Sequence, residues 1–151
     1  MSQSLDEKDR KILSILTEHA EYTTRQIAKK TLLPVTTVHN RITKLRKEGI
    51  IKRFTIDINH EKTGDNFLAY VLVSVDKNVL RDKKKTQYDI LNEMKRLNFV
   101  ERADIVTGGT DLIVIMRSSG VAEFDDFLLN KFQAIDGVEK TQSLIVIHSG
   151  K

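Results

Sequence analysis

The chain of 151 residues has no cysteine. That excludes disulfides, thiolate metal sites and a cysteine nucleophile. No apolar run approaches the roughly 18 residues that a membrane span needs. The opening MSQSLDEKDRK is polar and charged, so no secretory signal is expected there and a cytoplasmic protein is. A glycine-rich phosphate loop and a dinucleotide fingerprint are both missing. The four histidines, His19, His39, His60 and His148, are scattered. None has a carboxylate at the spacing of a metal site or a catalytic triad. His19 and His60 are expected at the surface. These absences argue against an enzyme, and no metal or cofactor is expected.

What the chain does have is a lopsided charge. Residues 1–60 hold 12 Lys/Arg against 7 Asp/Glu, a net +5. Residues 61–151 hold 13 against 14, a net −1. The basic excess lies wholly in the N-terminal part, which favours a polyanion as its partner. Within that part, Thr24 to Gly49 reads as a short helix, a turn marked by the single proline Pro34, and a longer helix stopped by Gly49. Val38, Ile42 and Leu45 form an apolar stripe at i, i+4 and i+7. The opposite face carries Thr36, Asn40, Thr43, Lys44 and Lys47. Small hydroxyls, an amide and lysines over an apolar back suit a DNA major groove. A helical hairpin used for protein contacts has the same apolar pattern.

Taken in order, Leu5–Ala20 reads as a first helix, capped by Asp6, with Glu7 and Asp9 favoured in its first turn by the helix dipole. A threonine of Tyr22-Thr23-Thr24 caps the second helix, whose Ile27 and Ala28 face inward. After Gly49, IIKRFTIDIN alternates as a strand and is expected to pair with its copy in a second subunit. His60–Asn66 reads as a linker. FLAYVLVSV is the next strand, followed by a charged stretch and a helix to about Leu97 with Ile90, Leu91, Met94 and Leu97 inward. FVERADIVT, the turn GGTD and LIVIMRS make a hairpin. Val121 to about Ala134 is a helix with Phe124, Phe127, Leu128 and Phe132 inward, and VEKTQSLIVI is the last strand. The expected class is α+β: a three-helix helix-turn-helix domain (residues 1–50), a connecting strand and linker (51–66), and a βαββαβ ferredoxin-like domain (67–151). Strands apolar on both faces imply sheet-on-sheet dimerisation.

The order of these elements resembles the Lrp/AsnC (feast/famine) family of prokaryotic, including archaeal, transcription regulators. The matching words are LDEKDRKIL, IAKK, RITKLRKEGIIKRFTIDIN, VTGGTDLIV and IDGVEKTQSLIVI, spread over nearly the whole chain. The resemblance implies that the recognition helix starts near Pro34–Val35. Arg25, Val35, Thr36, Thr37, His39, Asn40, Arg41, Lys44 and Lys47 are then the DNA-binding candidates. Asn40 suits adenine; Arg41 or Lys44 suits guanine or phosphate; Arg25, Lys47, Lys52 and Arg53 suit phosphate.

The resemblance further implies a RAM-type second domain that forms a homodimer, assembles to a tetramer or octamer, and binds an amino acid. The ligand turn would be Thr107, Gly108, Gly109, Thr110 and Asp111. Glycines there would expose N–H groups to a carboxylate, and Asp111 would receive an α-ammonium group. A plain β-turn uses the same residues. The chain departs from the family pattern twice. It has Leu32-Leu33-Pro34 where a glycine is usual, and the segment Asp76–Asp89, with Lys83, Lys84 and Lys85, is long and is expected as a solvated loop. The implied function is a sequence-specific, nucleoid-associated regulator binding double-stranded DNA, with a chromatin-like DNA coat lacking an effector as the alternative.

Overall fold

Side-chain caps start the first two helices. In the computed structural model, which describes residues 5–149, Asp6 opens α1 (Glu7–Glu18) with a reciprocal box: its carboxylate accepts the Asp9 N–H while the Asp9 carboxylate accepts the Asp6 N–H. Thr23 and Gln26 do the same for α2 (Thr24–Thr31). Pro34 has no side chain able to cap, and stands as N-cap of α3 (Val35–Lys47). The outermost residues of the two expected domains, 1–4 and 150–151, lie outside the described range. The chain divides into two units between Asp57 and Ile58.

The first unit packs Ile12, Leu16, Ile27, Ala28 and Val38 into one core, with Leu33, Ile42 and Ile51 against it. Leu45 is buried as well. Burying such a side chain fully contributes roughly 1.5–3 kcal/mol. Glu7 and Asp9 stand in the first turn of α1 as expected, and Asp9 is buried. The strand expected after Gly49 would have its partner in a second copy of the chain. Residues 52–59 pair with no strand among the described residues. A ladder needs a partner, and one copy of the chain supplies none. Phe54, Ile56 and Ile58 are correspondingly exposed.

The second unit starts with the short helix α4 (His60–Thr63), started by Asn59 and ended by Gly64 at φ +93°. His60 is half-buried, its Nε2 3.7 Å from Glu101, which corrects the expected surface position. Then come β1 (Phe67–Val75), α5 (Lys77–Asp82), α6 (Gln87–Met94), β2 (Val100–Ile105), β3 (Leu112–Ser118), α7 (Val121–Asp126) and β4 (Val138–Ile145). The sheet order is β2-β3-β1-β4, antiparallel throughout.

One sheet face, carrying Ala69, Val71, Val73, Leu112, Val114 and Met116, is buried under Leu80, Ile90, Met94, Phe124 and Phe132 from the helices. On the other face the register sets Tyr70 between Ile115 and Leu144, and Leu72 beside Ile113. Tyr70 and Leu144 remain well exposed.

Two helices depart from expectation. The long charged segment is not a loop. Asp76 caps α5, Leu80 is buried, Lys83 pairs with Asp136, and Lys85 pairs with Glu93 at 2.9 Å. Two of its three consecutive lysines are thus neutralised within the chain. The last helix changes winding, since α7 runs into a π-helical turn over Phe127–Phe132. The wider i→i+5 turn brings residues five apart towards one side. Phe127 stacks on Phe99 at 4.1 Å and Phe132 is fully buried.

Candidate nucleic-acid interface and candidate ligand turn

The two helices of the helix-turn-helix are joined by three residues, Leu32 to Pro34. Leu32 takes the left-handed conformation, φ +57° and ψ +31°, with its side chain 90% exposed. This is the conformation glycine adopts freely and a leucine adopts at a cost of roughly 1–2 kcal/mol. Leu32 thus holds a backbone conformation that a glycine would suit. Leu33 turns back into the core and donates its N–H to Ala28. At the far end of α3, Gly49 at φ +72° allows the Ile50 N–H to reach Leu45 O and the Gly49 N–H to reach Arg46 O. This paired closure satisfies the last carbonyls of the helix.

Between those ends α3 has two sides. Val38 and Leu45 are buried, while Val35, Thr36, His39, Asn40, Thr43, Lys44, Arg46 and Lys47 are exposed. Thr36, Asn40, Thr43 and Lys47 follow one another along one ridge at helical spacing. Two concavities run along this side. The first, about 810 Å³, is lined by Thr23, Thr24 and Arg25 of the α2 start and by Val35, Thr36, His39 and Asn40. The second, about 380 Å³, is lined by Thr43, Arg46, Lys47, Ile51 and Lys52. Five of the expected DNA-binding residues meet in the first and Lys47 falls in the second. Among the described residues, the side chains of Arg25, Thr36, His39 and Asn40 have no hydrogen-bond or ion-pair partner within the chain. Lys44 lies 3.8 Å from Glu48, and Thr37 is half-buried beside the ridge.

Arg41 differs from its neighbours on this helix, being engaged within the chain. Its guanidinium faces back to α1, where it pairs with Asp6 and, at 2.9 Å, with the buried Asp9. The reason is angular: Arg41 sits on the flank next to Val38 and Leu45, and a buried carboxylate needs a partner. The Asp9 backbone N–H, and after it the Arg41 guanidinium, hold the Asp6 carboxyl below the usual carboxylate range. Asp6, and then Asp9, raise the Arg41 value further. Sequence reasoning missed Arg46, whose guanidinium lies 6.0 Å from the Phe54 ring. It also missed Thr23 and Thr24 as lining residues. Their position at the start of α2 was the available signal, because a helix N-terminus beside a recognition helix offers donors to an anion.

The expected ligand turn is built differently. Its glycines and Thr107 are exposed, and Gly108 has φ +132°. The other two residues are engaged. Asp111 Oδ2 accepts the Val75 N–H at 3.0 Å, and Oδ1 accepts Gln87 Nε2 at 2.9 Å. The Asp111 N–H and the Thr110 hydroxyl both donate to Val73 O. These bonds tie the β2–β3 hairpin to the end of β1 and the start of α6. The two groups expected to meet an ammonium group and a ligand, Asp111 and Thr110, are thus already bonded within the chain. Among the described residues, no group of three or more His, Asp or Glu could hold a metal ion. No helix there is long and apolar enough to cross a membrane.

Comparison with known proteins follows the same division. A winged helix-turn-helix DNA-binding model matches residues 5–52, and an Lrp/AsnC ligand binding domain model matches residues 68–151. The HTH-type transcriptional regulator FL11 of Pyrococcus abyssi is 33% identical over 151 residues, covering all of this chain and 95% of its own length. Its namesake from Pyrococcus horikoshii is 34% identical with the same coverage. Among solved structures, a transcriptional regulator from Neisseria meningitidis in complex with L-Met superposes with a TM-score of 0.88 at 23% identity, over 98% of this chain and 93% of that one. AsnC of E. coli gives 0.83 at 24% identity, over 97% and 95%. At these identities the two structures speak for the fold.

Proposed function

This chain belongs to the Lrp/AsnC family of DNA-binding transcriptional regulators, with a ligand-binding domain of that type, and we propose that it binds discrete operators as a homodimer or a higher oligomer and answers to an amino acid. The observation that carries the DNA reading is the exposed side of α3 with its unengaged Thr36, His39 and Asn40. Asn40 pairs with adenine, whose N6 and N7 match a carboxamide. Arg25 grips phosphate at one end of the helix, and Arg46, Lys47 and Lys52 grip it at the other. Residues 1–50 serve as the DNA-binding domain, 51–66 as the connector and 67–151 as the dimerisation and effector domain. Two copies are joined through the uncovered sheet face, where Leu72, Ile113, Ile115 and Leu144 would otherwise meet water. The connector pairs with its copy as a strand.

For the effector, Thr107, Gly108 and Gly109 face the ligand and the glycine N–H groups meet its carboxylate. Thr110 and Asp111 hold the turn in shape. A fold relative bound to L-Met supports this chemistry. The protein acts in the cytoplasm on the nucleoid.

Footprinting on promoter DNA tests the operator reading. Two protected blocks about one helical turn apart are expected. Uniform protection that collapses as salt rises would instead show a nonspecific coat and overturn it. Thermal shifts across the amino acids test the effector, since a ligand that binds the native state raises its midpoint.

A further inference from the structure

The apolar stripe of α3 is longer than the core it packs into. Val35, Val38, Ile42 and Leu45 share one side of the helix at spacings of three and four. Val38 and Leu45 are fully buried and Ile42 packs on the core, yet Val35 is 44% exposed. It stands at the first residue of α3, where it lines the same concavity as Thr36, His39 and Asn40. A β-branched side chain with two methyls is thus held in water on the side that faces DNA. The Thr36 methyl lies next to it in sequence and in the groove. One helical turn on stands the Asn40 amide.

We propose that Val35, supported by the Thr36 methyl, reads the C5-methyl group of a thymine in the major groove. This rests on the DNA-reading role proposed above. Only thymine offers an apolar contact among the major-groove edges, the other features being donors and acceptors. Val35 and Asn40 are five residues and so about 7.5 Å apart along the helix. Base pairs repeat every ~3.4 Å. The thymine is therefore placed about two steps from the adenine that Asn40 pairs with, within one half-site. Val35 discriminates there without any hydrogen bond, and His39 and Arg25 flank it as polar groups.

The test needs no change to the protein at first. Binding sites are selected from a random 30-bp duplex library with the full-length chain. Each thymine of the recovered sequence is then replaced singly by deoxyuridine, and affinity is measured by fluorescence anisotropy at fixed salt. One position per half-site should lose about 3- to 5-fold, the effect of one buried methyl. Val35→Ala should weaken binding to the thymine duplex by a similar factor and leave the deoxyuridine duplex unchanged. Neutral deoxyuridine at every position, or an equal loss for Val35→Ala on both duplexes, overturns the methyl reading and leaves operator recognition standing. A library from which no sequence is enriched overturns both.

Discussion

The exposed side of α3 and the turn at residues 107–111 look alike in sequence, each a run of small polar residues that suits a ligand. The structure treats them in opposite ways. On α3, the side chains of Thr36, His39 and Asn40 make no hydrogen bond or ion pair among the described residues, and the helix owes its position to the buried Val38 and Leu45 behind them. In the turn, the polar groups of Thr110 and Asp111 are themselves the fastening. A residue that reaches outward can be removed with its scaffold intact. A residue that fastens its own loop cannot. Arg41 shows that the boundary does not follow the elements, since it lies on α3 and behaves as the turn does.

The largest effect expected of this contrast is at Asn40. Asn40→Ala should cost about 1–3 kcal/mol on operator DNA, the worth of one bidentate base contact. On random DNA the loss should be slight, and the thermal midpoint should stay within a degree or so. Equal weakening on both DNAs would move Asn40 from base reading to a mere backbone contact. Asp111→Ala should reverse the pattern. It strands the N–H of the buried Val75 and the Gln87 amide, at about 1–3 kcal/mol of stability, visible by calorimetry. Operator affinity at saturating protein should be little changed. If stability held and only the response to an amino acid vanished, Asp111 would be a ligand group and the contrast would fail.

Arg41 is placed through its partner. Asp6→Asn keeps a good N-cap but removes one of the two carboxylate charges that Arg41 faces, leaving Asp9. The folded Asp6 carboxyl lies below its ordinary value. Its contribution is therefore complete above the ordinary carboxylate range near pH 4 and is lost as pH falls through the lowered value. Asp6→Asn should lower the midpoint at pH 7, with the gap to the parent closing in acid. Operator affinity should hold. A gap that widened in acid would contradict the assignment, and a tenfold loss of affinity would return Arg41 to the DNA side.

How far the sequence allowed this to be seen follows the same line. Periodicity located every strand of the sheet and the inward Ile90, Met94, Phe124 and Phe132, because alternation and helical spacing are local properties. It located α3 and its outward ridge for the same reason. The bonds of Arg41 and Asp111 within the chain were not legible because their partners, Asp9 and Gln87, are 32 and 24 residues away. Nothing local in the sequence announces such a pairing. The strand expected over residues 50–59 depends on a second chain, and in a single copy that stretch pairs with no strand among the described residues. Helix α5 was hidden by its lysines, although Asp76 two and three residues before the N–H groups it caps was a readable start.

The smallest effect tests the turn between the two helices. Leu32 holds the left-handed region with 90% of its surface in water. Glycine there would shed the roughly 1–2 kcal/mol that a side chain costs in this region. It would add about 0.5–1 kcal/mol of backbone freedom to the unfolded chain. Leu32→Gly should therefore stabilise by about 0.5–1 kcal/mol and raise the midpoint slightly. No buried contact is lost, and Leu33 still anchors the turn to the core. If leucine serves no partner, operator affinity stays constant while stability rises. If affinity falls as stability rises, the exposed Leu32 side chain touches DNA and belongs with Asn40 on the outward-reaching side. A fall in stability would mean that this turn relies on Leu32 for more than its backbone, and the division drawn between fastening and reaching residues would have to be redrawn at the start of α3.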